Sequence, residues 1–436
     1  MGKHHQFMHS QIRALAGPQF VACNTWLICT DLLKSNVAQN WNGYSMINPE
    51  HWLNRKRFIL YSIVSLLMLL LYFGALFFHS DFVISNGISL ISDFRIFWAA
   101  SHLALTGHAL DAYNSTKLWD AVSALDKSAV EGRFGWFYPP TFYLVILPLA
   151  TLSYLTSYFI FMTCTFVGYV AVFHQIIRDR LALWGLAGFS GVWINVMDGQ
   201  NGFLTAAIAG AALLFLRERP ILSGVFIGLL SIKPQLAILF PVALCAIGAW
   251  RTILTAGVVA TILMSVSVTV LGPEIFMAWL QGIGQARTMC LESDTIAIVM
   301  PTVFSALRLA GISIAWAYAM HFTIAAIVAV MVWRIWRYSK NHAIQNAALM
   351  TATFLVSPYI YFYDMTWLAL AIAWVAKSGI EEGWLPGDRV TLVAVWLLPI
   401  ALFTIAWFTN VQIGPVVLLI LLVKIMRRSR INARPA

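Results

Sequence analysis

Apolar stretches long enough to cross a bilayer recur from Phe58 to the end of the chain, each closed by Arg/Lys, Gly/Pro or a polar cluster. This repetition constrains the fold more than any motif. In lipid every backbone N–H and C=O must be bonded within the protein, so spanning segments are helices or the strands of a closed barrel. Barrel strands would read as alternating segments of about 10 residues. The stretches here are continuous, so the expected fold is all-α, a polytopic membrane protein. With 60% apolar and only 11% charged side chains, a chain of 436 residues has too little charge to cover a soluble globule.

The net charge of +10 could suggest nucleic acid, but the cations sit in short connections. Arg55, Lys56 and Arg57 precede the first span. Arg178 and Arg180, Arg217 and Arg219, Arg251, then Arg334, Arg337 and Lys340 follow later ones, and Lys424, Arg427, Arg428 and Arg430 end the chain. Placing these clusters in the cytoplasm satisfies the positive-inside rule and puts both termini inside. No basic and aromatic surface module is visible, so no nucleic-acid partner is expected. The expected location is the bacterial inner (plasma) membrane, with the polar motifs facing the periplasm or exterior. Five cysteines, none in CxxC spacing, read as packing residues. His79, His102 and His108 lack ligand spacing, so neither metal nor other cofactor is expected.

Two clusters on one side must be separated by an even number of crossings, which gives about twelve spans. Residues 1–52 read as a polar cytoplasmic extension, poorly ordered or an over-long start with Met46 as initiator. Residues 53–312 form the expected catalytic membrane module with a large external loop at 79–137, and 313–436 the C-terminal helices. In that loop Leu118, Val122, Leu125 and Ala129 recur at helical spacing, and with the aromatic-rich stretch from Phe94 to Leu105 they predict amphipathic interfacial helices. The stretches between Leu181 and Trp250 fall short of the roughly 20 residues a crossing needs. Polar turns at membrane depth survive only where protein or a water-filled cavity shields them. The turns at 199–202 and 233–235 are therefore expected to line a cavity.

Polar residues gather at the helix ends assigned to the outside. Asp93, followed by Arg95, is a candidate base, because a carboxylate among apolar groups gains basicity; it could equally cap the next helix. Tyr138 precedes Pro139 and Pro140, which fix a rigid return aimed at the cavity, although aromatics at this depth are ordinarily interface anchors. Asp198-Gly199-Gln200-Asn201-Gly202 places polar side chains in a turn between short apolar helices, either as a hairpin cap or facing a ligand. Lys233-Pro234-Gln235 puts an ammonium where cations are otherwise scarce, suited to a lipid phosphate unless it snorkels to the surface. Tyr363-Asp364 closes an aromatic turn, with helix capping and a direct role both open. Arg287 and Arg308 are further candidate phosphate ligands. There is no Walker loop, GxGxxG, DxD, GxSxG or HExxH.

Taken in order, Ser92-Asp93-Phe94 with Gly107 and Tyr113, Tyr138-Pro139-Pro140 with Leu147-Pro148-Leu149, Gly199-Gln200-Asn201, Ser223-Gly224 with Gly228, and Lys233-Pro234 resemble the motifs of glycosyltransferase family 87, membrane enzymes of the GT-C class. The resemblance spans roughly residues 90 to 310. It implies transfer of a sugar, usually mannose, from a polyprenyl-phosphate donor to a lipid or glycan acceptor on the non-cytoplasmic side, without metal and with inversion. It also implies that Asp93 is the catalytic base. Lys233 and Arg287 would then bind the donor phosphate, while Arg95, Tyr138, Gln200, Asn201, Gln235, Tyr363 and Asp364 bind substrate. The stretch Tyr361-Phe362-Tyr363-Asp364 departs from the histidine-bearing segment of phosphatidylinositol-mannoside enzymes, so acceptor identity does not carry over. A transporter or flippase is the alternative, although it would show paired interruptions in two related halves. A membrane scaffold would need no Asp93 and Lys233 around one cavity.

Overall fold

The computed structural model describes residues 52–78, 92–125, 135–292 and 294–431. The chain divides into two units, Met1–Arg55 and Lys56–Ala436. All but the last residues of the first unit lie outside the described residues, and with them the expected N-terminal extension. So do residues 79–91 and 126–134 of the external loop, including Ala129.

The described residues are helical, with no strand. Helix α1 (Arg55–Phe78) is followed by α2 (Ser92–Leu105), a 3-10 turn at Ala109–Tyr113 and α3 (Ser115–Leu125). After α4 (Pro140–Ile146) come α5 (Tyr154–Ile176), α6 (Ala182–Ala187), α7 (Ser190–Asp198), α8 (Gly202–Phe215) and α9 (Pro220–Leu229). Two 3-10 turns, Leu230–Ile232 and Pro234–Leu236, lead to α10 (Leu239–Ala246) and α11 (Trp250–Leu271). Then follow α12 (Glu274–Glu292), α13 (Asp294–Val299), α14 (Val303–Leu309), α15 (Ile314–Tyr338) and α16 (His342–Val356). A 3-10 turn at Phe362–Met365 opens α17 (Thr366–Glu382), and α18 (Asp388–Thr409) and α19 (Gly414–Ile431) end the fold.

Among the described residues five helices are long and apolar enough to cross a membrane: α1, over Arg55–Ala75, α5, α11, α15 and α18. Other apolar stretches counted among the expected twelve spans are cut by Pro, Gly and polar turns into shorter helices, among them α8, α9 and α10. Short helices leave their backbone ends at membrane depth and must be walled by protein. The burial pattern agrees. Nearly every side chain of α16 and of the first half of α17 is buried. By contrast, α11 buries only Thr252 and Ser267 and turns Leu254, Val258, Ile262 and Val266 outward, as lipid contact requires.

Ser223-Gly224 and Gly228 are accounted for by packing. A Cβ on Gly224 would lie 2.6 Å from Thr255 Cβ, and one on Gly228 2.6 Å from Val259 Cβ, so these small residues let α9 and α11 touch backbone to backbone. The expected interfacial helices are in part corrected. In α2, Phe94, Phe97, Ala99 and Ala100 are buried, with Phe94 against Tyr154, Tyr158 and Phe161 and Phe97 against Trp136, Tyr138 and Phe142. Leu118 and Val122 of α3 are buried too. The apolar stripes were legible, but aromatic side chains of the same protein supply most of what they pack on.

Candidate functional site

Asp93 stands in the first turn of α2. Its carboxylate Oδ2 accepts a hydrogen bond from Gln200 Nε2 at 2.7 Å. Gln200 is presented by a tight turn: α7 ends on Gly199 with φ 65°, a left-handed cap that glycine adopts without Cβ strain. The turn is stitched to itself, since Gly202 N donates to Asn195 Oδ1 at 2.9 Å and Asn201 N to Gln200 Oε1 at 3.2 Å. Tyr138 Oη donates to that same Gln200 oxygen at 3.0 Å. Gln200 thus joins the start of α2 to the segment that Pro139 and Pro140 lead into α4.

Lys233 lies between the two 3-10 turns, and its Nζ donates to Asp364 Oδ1 at 2.7 Å and to Asn201 Oδ1 at 3.2 Å. The pair is enclosed, at 3% exposure for Lys233 and 0% for Asp364. The Tyr363 ring lies 4.7 Å from the ammonium and the Tyr138 ring 5.9 Å, both within cation–π range. Thr141 Oγ1 holds Ser231 O at 2.8 Å and so fixes the approach to Lys233. Gly202 makes room for the other side: a Cβ there would lie 2.6 Å from Tyr363 O. Asp364 sits ahead of α17, whose cap is Met365, and its carboxylate engages Lys233. Capping is therefore not its role.

These contacts bring together seven of the residues singled out from sequence: Asp93, Gln200, Tyr138, Asn201, Lys233 and Asp364 through hydrogen bonds, and Tyr363 through its ring beside Lys233. Lys233, expected to meet a donor phosphate, is engaged here by Asp364 and Asn201. Arg287 stands apart, exposed on α12 with its guanidinium 5.6 Å from the Tyr318 ring. Tyr318 Oη bonds to Tyr359 Oη. Arg95 is buried, two residues beyond Asp93. Gln235 is half-exposed and takes no part in the network, and Arg308 bonds Ile312 O at 2.8 Å. Among the described residues no group of three or more His, Cys, Asp or Glu side chains gathers.

Two further residues, named within the sequence motifs but given no role of their own there, stand at the site. Asp198, at the end of α7, feels the charge of Asp93, so two carboxylates flank the Gln200 turn. Tyr361 stacks on Tyr363 at 5.4 Å and 5°, and its Oη meets Cys290 Sγ at 3.6 Å. The available signal was aromatic density, with Tyr359, Tyr361 and Tyr363 crowded into the segment that leads into the 3-10 turn at Phe362–Met365. Burial raises the Cys290 thiol above its ordinary range, so it remains a neutral thiol. Burial likewise raises the Tyr113 phenol, which keeps its proton and donates to Tyr138 O at 2.7 Å.

Against this geometry, the model of glycosyltransferase family 87 matches residues 136–358, just over half of the chain. The chain belongs to glycosyltransferase family 87. It is accordingly a membrane glycosyltransferase, an enzyme taking a sugar donor and an acceptor, which decides against the transporter and scaffold readings. No curated protein and no solved structure matches it. The family match contains Tyr138, Gln200, Asn201 and Lys233. Asp93 precedes it and Asp364 follows it, so the bonds of the site reach out of the matched segment in both directions.

Proposed function

We propose that the enzyme transfers a sugar, mannose, from a polyprenyl-phosphate donor to a lipid or glycan acceptor on the non-cytoplasmic face of a bacterial inner membrane, by a GT-C-type, metal-independent, inverting displacement. The observation that carries the reading is the 2.7 Å bond from Gln200 to Asp93, which orients a carboxylate from outside the family-matched segment by a residue inside it. Phosphate is already a good leaving group, so one base suffices where a glycosidase needs two carboxyl groups. Asp93 takes the proton of the acceptor hydroxyl as that oxygen attacks the anomeric carbon, the bond from this carbon to the phosphate oxygen breaks, and polyprenyl phosphate departs. Arg287, exposed on α12, is suited to the phosphate charge. Lys233 acts as a positioning residue, holding Asn201 and Asp364. Tyr138 and Gln200 present neutral hydrogen-bonding groups to sugar hydroxyls.

Membrane vesicles carrying the wild type, supplied with polyprenyl-phosphate-mannose, should transfer mannose, and Asp93→Asn should lower the rate by about 100-fold or more. Full activity in Asp93→Asn removes Asp93 as base. Absence of transfer by the wild type removes this donor.

A further inference from the structure

The far end of α17, away from Asp364, carries a charged group that the transfer reaction does not use. Arg389, in the first turn of α18, is 9% exposed, and its Nε and Nη1 are buried without a hydrogen bond to a described residue. Its guanidinium lies 4.9 Å from the Trp384 ring. That ring is seated on α17, where a Cβ on Gly379 would lie 2.8 Å from it. The guanidinium is thus held in place while its donors go unanswered. The 17 residues of α17 put this end roughly 25 Å from the Asp364 turn.

A second cation stands at the same helix start. Lys424 Nζ donates to Pro386 O at 2.8 Å, and a Cβ on Gly387 would lie 2.7 Å from that nitrogen. Glycine here, at φ 82°, admits the ammonium to the start of α18 and offers no side chain to cap its first amides. The positive end of the helix dipole adds to both charges. Asp388, the acidic residue of that turn, is committed to Arg428 at 2.6 Å and to Leu385 N at 3.1 Å. Of the two carboxylates that end α17, Glu382 accepts from Asn341 and Ser378, and Glu381 is exposed. Two cations and uncapped amides with no carboxylate to meet them are what an anion requires.

The surroundings select which anion. Val390 follows Arg389 and Val423 precedes Lys424, each 57% exposed, and the same helix faces continue in Leu397 and Ile420, exposed as well. Apolar side chains turned outward on membrane helices meet acyl chains, so both cations stand where a phospholipid carries its phosphate. An arginine that merely snorkels would extend its guanidinium into water, whereas that of Arg389 is covered.

We infer that the start of α18 binds the phosphate of an anionic phospholipid, in the leaflet away from Asp93, with Arg389 and Lys424 as charged donors and Trp384 as the surface that holds the guanidinium. The inference is independent of the proposed transfer reaction.

The test is native mass spectrometry of the full chain released from nanodiscs of equal parts phosphatidylglycerol and phosphatidylcholine. The wild type should retain phosphatidylglycerol selectively. Arg389→Leu leaves no carboxylate stranded, and should retain this lipid about 10-fold less through loss of a charge-assisted hydrogen bond. Lys424→Met should weaken retention in the same direction and serves if Arg389→Leu does not fold. Arg251→Gln removes an exposed cation from the same position of α11 and should change nothing. Equal retention of the two lipids by the wild type, or unchanged retention in the variants, overturns the inference. An equal loss in Arg251→Gln also overturns it, by reducing the effect to general surface charge. Displacement of phosphatidylglycerol by inorganic phosphate gives the site to a free anion and overturns the lipid assignment.

Discussion

Two buried ion pairs stand at the two ends of α17. Ahead of its first residue Lys233 holds Asp364 at 2.7 Å; beyond its last, Arg428 holds Asp388 at 2.6 Å, with exposures of 4% and 3%. Distance and burial are alike, but saturation is not. Arg428 also donates to Gly383 O at 2.9 Å and to Ser378 Oγ at 3.3 Å, and Asp388 Oδ2 also accepts from Leu385 N at 3.1 Å. Asn341, the cap of α16, joins Ser378 and Glu382 at the same end. Around Lys233, by contrast, Asp364 Oδ2, Asn201 Nδ2 and Asn195 Nδ2 are buried without a hydrogen bond to a described residue. Leaving buried polar groups unmatched costs about 1–3 kcal/mol each. At the Arg428 end the pair itself is saturated, and the unmatched Nε and Nη1 belong to the neighbouring Arg389, whose guanidinium lies over the Trp384 ring; at the Lys233 end the unmatched atoms belong to Asp364 of the pair, its partner Asn201 and the adjoining Asn195.

This contrast can be broken by experiment. The largest expected effect is that of Asp93→Asn, a loss of about 100-fold or more in transfer rate with thermal stability unchanged. Arg428→Met should do the reverse, lowering stability by about 3–5 kcal/mol by stranding Asp388 while the folded fraction retains its turnover. Equal loss of turnover per folded molecule in both would abolish the distinction. Lys233→Met should cost about 3–5 kcal/mol as well, and Lys233→Met/Asp364→Leu should regain most of it in denaturant titrations, because no unpaired charge remains. If the double variant is no more stable than the single, Lys233 is not held as a closed pair. A smaller effect, about 1 kcal/mol in stability, is expected for Gly199→Ala, which places a Cβ at φ 65°. Tyr138→Phe should cost about 0.5–1.5 kcal/mol, read as a several-fold fall in transfer rate; an unchanged rate would show that Gln200 orients Asp93 unaided.

Much of this was legible in the sequence, and for identifiable reasons. Apolar continuity gave the helical class, and Pro and Gly gave the breaks, so α4, α8 and α9 begin within two residues of where those signals put them. Gln200, Asn201, Lys233 and Asp364 drew notice because polar groups between apolar helices are costly, and the structure brings them together. What could not be read is pairing. Nothing local to Lys233 says that its partner is Asp364, so an ammonium suited to phosphate and one bound to a carboxylate looked alike. The same limit applied to α2, whose aromatic face fits a membrane interface as well as it fits Tyr158 and Phe161.

The separation within that ion pair bears on how the protein is made. Lys233 leaves the ribosome 131 residues before the carboxylate that neutralises it. A nascent chain that has inserted α9 and α10 must keep an uncompensated ammonium near apolar surroundings until the turn ahead of α17 arrives. Chains stopped before Asp364 should therefore be recognised as unfinished by membrane proteases, and completion of the C-terminal helices becomes the step that releases the protein from surveillance.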